Sequence, residues 1–252
     1  MPYIRQLLIV CPLVFLAGFI DSIAGGGGLI SLPAYYMAGL PPHLALGTNK
    51  MSSSVGLVFS TGTYIKEGYV YKPLIPVAVA GALIGSWIGA RSVLLLDEIV
   101  LRWIMIIAIP ILALIILLKK DLLSPETREI NRVREQIIAA VTSLIIGWYD
   151  GFFGPGAGTF LLLAFVGILK LDAVTASGNA KIVNFCSNIG ALTVFIMAGT
   201  VNYALALPGA AFAILGNIIG ARLTIKNGAK IIKPVMLVVV LILMITIVRD
   251  LL

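Results

Sequence analysis

Two acids, two glycine clusters and two lysines recur in the same order in the two halves of this chain. The first set is Gly18, Asp21, Gly25-Gly26-Gly27-Gly28 and Gly47-Thr48-Asn49-Lys50. The second is Gly147, Asp150, Gly154-Pro155-Gly156-Ala157-Gly158 and Gly178-Asn179-Ala180-Lys181. Both sets lie among apolar residues, and an ionisable side chain in hydrocarbon is costly enough to read as a functional site. Clustered glycines interrupt a helix, and such backbone at membrane depth is tolerated only where it is buried in protein or lines a cavity. Helix ends meeting there present unpaired N–H groups and the positive end of the helix dipole, which attract an anion. The candidate substrate ligands are therefore Lys50 and Lys181 as charge and Gly26, Gly27 and Gly156 as backbone donors. Asn49, Asn179, Ser53, Asn184 and Ser187 would orient the substrate. Asp21 and Asp150 would carry a coupling proton or act as counter-charge to the lysines.

Each of these has a plainer reading. A glycine cluster can be a tight helix crossing or a surface turn. Asp21 and Asp150 can cap backbone N–H groups at a helix end. Lys50 and Lys181 each open a long apolar helix, where a lysine can snorkel to the interface. The polar residues that follow favour a cavity: Asn49, Ser53 and Ser60 in one helix, and Asn184, Ser187 and Asn188 on one face of the other. Neither cluster continues into the Gly-Lys-Ser/Thr ending of a phosphate loop. His43, the single histidine, follows Pro41-Pro42 and reads as a turn residue without a second metal ligand. No metal cluster, nucleophile elbow or nucleotide fingerprint is present, which argues against an enzyme, an ATP-driven pump or a cofactor.

The elements that must position these residues are membrane helices. Of the 252 residues, 60% are hydrophobic and 12% charged, and the mean hydropathy is +1.08. A soluble domain would carry about twice that charged fraction. The net charge of +7 follows from basic residues in the connections, as the positive-inside rule expects, rather than from nucleic-acid binding. Cys11 and Cys186 read as packing residues. Apolar segments fall at about 7–24, 29–40, 44–65, 73–94 and 100–118, then 136–153, 156–170, 173–198, 204–222 and 231–250. Spanning takes about 20 apolar residues, so 29–40 and 156–170 read as half-helices or re-entrant partners. The first segment enters the glycine cluster with no small-residue cleavage site, and reads as a membrane helix rather than a signal peptide.

The organisation expected is one integral membrane domain: an N-terminal repeat over 1–118, a polar cytoplasmic connector over 119–135, and a C-terminal repeat over 136–252. Ser124-Pro125-Glu126 could open a short surface helix in the connector. An offset of 129 lays Gly18, Asp21, Gly25 and Gly27 on Gly147, Asp150, Gly154 and Gly156. An offset of 131 then lays Gly47, Lys50, Gly68, Gly85, Gly89, Ala90 and Arg91 on Gly178, Lys181, Gly199, Gly216, Gly220, Ala221 and Arg222. This is a duplication. Placing the basic connections inside puts the loops Lys66–Lys72 and Gly199–Tyr203 on opposite faces. The fold class is thus all-α and polytopic, with two homologous repeats of inverted topology and helices broken at the glycine clusters. Four-plus-four parallel halves are the alternative. Gly81-x-x-x-Gly85-x-x-x-Gly89 and Gly216-x-x-x-Gly220 read as helix-packing faces.

At these motifs the chain resembles the sulfite exporter TauE/SafE family of bacterial and archaeal permeases. The resemblance is carried by Gly18-x-x-Asp21-x-x-x-Gly25-Gly26-Gly27-Gly28 with Leu32-Pro33, by Leu46-Gly47-Thr48-Asn49-Lys50, and by their second-half counterparts. The second half departs from the first in lacking the later proline and in having Asn179-Ala180 where the first has Thr48-Asn49. The resemblance implies export of small sulfur-containing anions such as sulfite or organosulfonates. Together with the residues it leads to a secondary carrier in the bacterial inner membrane or the archaeal plasma membrane. Its partners would be a small anion, a coupling proton, membrane lipid and a second copy of the chain in a homodimer. An anion channel with a continuous polar pore is the alternative.

Overall fold

The computed structural model describes residues 1–101, 103, 131–228, 230–232 and 234–235. The segments expected at 100–118 and 231–250 lie almost wholly outside the described residues, as do most of the connector and its expected helix start at Ser124.

Among the described residues, eight helices can be followed from end to end: α1 Tyr3–Ala24, α2 Gly28–Met37, α3 Pro42–Lys66, α4 Ile75–Leu94, α5 Arg132–Phe152, α6 Ala157–Gly167, α7 Ala173–Met197 and α8 Tyr203–Asn227. All regular structure among the described residues is helical. Among the described residues, four spans are long and apolar enough to cross a membrane: α1, α4 with the short turn before it, α7 and α8. Helices α3 and α5, of 25 and 21 residues, are as long but carry more polar side chains. The protein is a multi-pass membrane protein, and side chains such as Ile84, Ile88, Ile145 and Leu215 face outward without cover.

Local chemistry sets the helix ends. Asn131, Asp172 and Asn202 each accept a backbone N–H of the first turn of α5, α7 and α8. The Asn131 cap starts α5 at Arg132, so the end of the stretch expected as connector is already helix. Pro42 opens α3, where its missing N–H leaves nothing unsatisfied. His43 is therefore a first-turn residue and not a turn, with Nε2 3.1 Å from the Val93 carbonyl. Cys11 is buried and Cys186 half-buried, both as free thiols.

The breaks fall at the glycine clusters. Gly25 and Gly26 take φ of 71° and 125°, and Gly154 and Gly156 take 98° and 81°, values that L side chains adopt only under strain. Helices α2 and α6, at 10 and 11 residues, are too short to span. The two breaks abut: a Cβ on Gly158 would lie 3.0 Å from Gly25 Cα, and one on Gly28 would lie 3.2 Å from Pro155 Cα. The Thr159 hydroxyl donates to the Gly25 carbonyl and fastens one break to the other.

Packing runs between the halves. Helix α4 lies on α5 and α8 on α1, while α3 and α7 meet at the centre. Gly81, Gly85 and Gly89 face the backbone of Ala140, Leu144 and Trp148, and Gly216 and Gly220 face that of Phe15 and Phe19. Both glycine stripes are thus packing faces that admit no side chain. Helices α3 and α7 run antiparallel, since Gly47 near the start of α3 meets Thr200 just past α7. Reciprocally, Gly178 near the start of α7 meets Tyr69 just past α3.

Candidate functional site

Asp21 stands one turn before the end of α1. The helix stops at Ala24, and the chain curls back so that Gly26 N and Gly27 N donate to Asp21 Oδ1 at 3.1 and 3.2 Å. Lys181 reaches the same break from α7. Its ammonium donates to the Asp21 main-chain carbonyl, and Nζ stands 3.4 Å from Asp21 Oδ2. This carbonyl also accepts from Gly25 N at 2.8 Å.

Asp150 holds the equivalent place before the break that follows α5, yet its partners differ. Lys50 Nζ lies 2.8 Å from Asp150 Oδ1, with both side chains almost fully buried. Ser187 donates to Asp150 Oδ2 at 2.6 Å, and Asn188 Nδ2 lies 3.5 Å from the same oxygen. Each lysine therefore pairs with the aspartate of the other half. The lysines do not open their helices; each is in the third turn, because α3 begins at Pro42 and α7 at Ala173. At 2% and 1% exposure they do not snorkel. Burying a charge costs heavily unless it is paired and hydrogen-bonded, which explains why each ammonium meets a carboxylate.

A small cavity of about 40 Å³ lies between the breaks and the middle of α3, α7 and α8. A volume of about 10–15 Å³ on this measure holds one water, so the space fits a small ion or a few waters. Of the expected ligands, Asp21, Gly26, Gly27, Asn49, Lys50, Ser53, Asp150, Gly156 and Asn184 line it. Lys181, Asn179 and Ser187 do not. Lys181 is bound at the α1 break, Ser187 stands behind Asp150, and Asn179 Nδ2 turns back to the Thr175 carbonyl at 2.9 Å.

The amides on the wall are oriented. Asn49 Oδ1 accepts from Ser53 at 3.4 Å, and Asn184 Oδ1 accepts from Asn188 at 3.2 Å. Their NH2 groups donate to no other described residue, so the wall offers donors to the space. Sequence reasoning missed Asn217, which lines the cavity from α8 and is held by Ser60 at 2.8 Å. The signal available was a lone amide in an otherwise apolar segment, inside the glycine stripe. Among the described residues no group of histidine, cysteine or carboxylate side chains could hold a metal ion.

The arrangement presents cationic and amide donors and bare glycine backbone to the cavity, chemistry that complements a small oxyanion. The family model described as sulfite exporter TauE/SafE matches residues 10–247. The chain is 37% identical over 94% of its length to a probable membrane transporter protein of Sinorhizobium sp, covering 90% of that protein. It is 38% identical over 93% of its length to the probable membrane transporter protein YfcA of Escherichia coli K12, again covering 90% of it. A probable membrane transporter protein of Bacillus subtilis, YdhB, is 23% identical over 86% of this chain and 89% of its own. No solved structure matches the chain.

Proposed function

This chain belongs to the sulfite exporter TauE/SafE family of membrane transporters, and from that premise we propose that it is a secondary carrier. In this reading it moves a small sulfur-containing anion, of the sulfite or organosulfonate class, across the cytoplasmic membrane of a bacterium or archaeon. The observation that carries the reading is the crossed pairing of Lys50 with Asp150 and Lys181 with Asp21 around a polar cavity where two broken helices meet. Lys50 supplies charge, Asn49 and Asn184 supply amide N–H groups, and Gly26, Gly27 and Gly156 allow close approach of the backbone.

The same reading makes the halves inverted repeats that rock about a midplane site. Its support is reciprocal packing, with the fourth helix of each half lying on the first helix of the other. The antiparallel α3 and α7 close the site from opposite ends, at Gly47 against Thr200 and at Gly178 against Tyr69. Rocking would open one end while the other stays shut.

The test is anion flux into liposomes holding the purified protein. A carrier saturates and exchanges internal for external sulfite or sulfonate. Single-channel currents would establish a pore instead, and flux unchanged in Lys50→Met would remove Lys50 from the site.

A further inference from the structure

The two lysine–aspartate pairs are chemically alike but differently committed. Lys181 spends its donors at the α1 break, on the main-chain carbonyl and the carboxylate of Asp21. Asp21 Oδ1 in turn holds Gly26 N and Gly27 N. The whole cluster closes a break that would otherwise leave backbone groups unsatisfied in the membrane, and Lys181 does not line the cavity. Lys50 has a single partner among the described residues, Asp150 Oδ1, and it does line the cavity. An ammonium carries three donors, so Lys50 can turn to a second acceptor without undoing any backbone closure.

Charge balance adds a second constraint. Two lysines and two aspartates sum to zero around the cavity, so a bound monoanion leaves one negative charge uncompensated in a buried site. A proton restores neutrality, and the partners of the two acids decide where it goes. Asp21 Oδ1 is held by two main-chain N–H groups, so its proton would go to Oδ2 and break the contact with the Lys181 ammonium, which can only donate. Asp150 Oδ2 faces the Ser187 hydroxyl at 2.6 Å, and a hydroxyl can reverse and accept from a carboxylic acid. The charged groups near Asp150 are Lys50 on α3 and Asp21 across the cavity. Helix α7 offers it only Ser187 and Asn188, α6 has no charged residue, and the single charge of α4, Arg91, stacks on Trp87. Beside it on α5, the Tyr149 hydroxyl is turned away to the Pro155 carbonyl.

We infer that Lys50–Asp150 is the exchangeable pair of the transport site and that Lys181–Asp21 is a fixed strut. The entering anion takes Lys50, Asp150 releases it and accepts one hydronium proton from the bulk solution, and the loaded site is electrically neutral. Lys181 is a positioning residue that keeps the α1 break closed and never exchanges its partner. This rests on the anion-carrier reading above.

The experiment is a proton inventory on the full chain in lipid nanodiscs. Binding of methanesulfonate, a monoanion that does not titrate near neutrality, is followed by calorimetry in buffers of different ionisation enthalpy. The expected result is uptake of about one proton per anion, with affinity falling about tenfold for each pH unit of increase, as linkage requires of one coupled proton. Asp150→Asn should take up none and bind with an affinity flat in pH. Lys181→Met should melt at a lower temperature while its proton count stays near one. Binding without proton uptake by the unaltered protein, or uptake that survives Asp150→Asn and is lost in Asp21→Asn, would overturn the inference. Absence of any methanesulfonate binding would overturn the anion-carrier reading itself, and the inference with it.

Discussion

Lys50 Nζ sits 2.8 Å from Asp150 Oδ1, and the two residues belong to opposite halves of the chain. Lys181 and Asp21 are crossed in the same sense. Each buried charge meets its partner in the other half, so both ion pairs are made only between the two halves.

Removing one member of a buried pair leaves the other uncompensated, at a cost of about 3–5 kcal/mol, whereas replacing both with apolar residues is often neutral. Lys50→Met and Asp150→Leu should therefore each lower thermal stability strongly. The double variant should recover most of the loss while transporting nothing. Unfolding scans of the four proteins in one detergent test this, and strictly additive losses would show that the pair is not coupled.

The glycine stripes should tolerate no side chain. A Cβ at Gly85 or Gly89 would collide with backbone of Leu144 or Trp148 on α5, and one at Gly216 with backbone of Phe15 on α1. Backbone cannot move aside as a flexible side chain can, so Gly85→Ala and Gly216→Ala should each lower the melting temperature by several degrees. Gly62 in α3 has nothing within 4 Å of its missing Cβ. Gly62→Ala should be neutral or stabilising, by up to about 1 kcal/mol from helix propensity.

Inverted halves place equivalent loops on opposite faces. With Cys11 and Cys186 replaced by alanine, a cysteine at Glu67 should react with an impermeant thiol reagent from one side of the membrane. A cysteine at Asn202 should react only from the other. Labelling of both from one side would establish parallel halves.

Tyr64 is fully buried; its hydroxyl donates to the Ser22 carbonyl at 3.0 Å and meets Ser177 Oγ at 3.1 Å. Tyr64→Phe should cost about 1–3 kcal/mol through the buried polar partners left behind. Tyr3 makes one exposed bond to the Ala204 carbonyl. Tyr3→Phe should change the melting temperature by less than the scatter between preparations.

Much of this architecture is already legible in residue order. Hydropathy marked α1, α4, α7 and α8 to within a few residues, because a helix that crosses lipid needs about 20 predominantly apolar residues. The glycine clusters marked both breaks, since only glycine takes the positive φ found at Gly25, Gly26, Gly154 and Gly156 without strain. The stripe from Gly81 to Gly89 marked a packing face, because i, i+4 spacing puts those residues on one side of a helix. Which lysine meets which aspartate was decided by tertiary structure alone. That choice depends on the rotation of α3 and α7 about their axes and on their antiparallel approach, and no local spacing encodes either. For the same reason equivalent positions in the two halves diverge: Lys50 borders the cavity while Lys181 fastens a helix end. Asn179 is likewise turned to the backbone of its own helix, and Asn217, inconspicuous in an apolar segment, is brought to the wall.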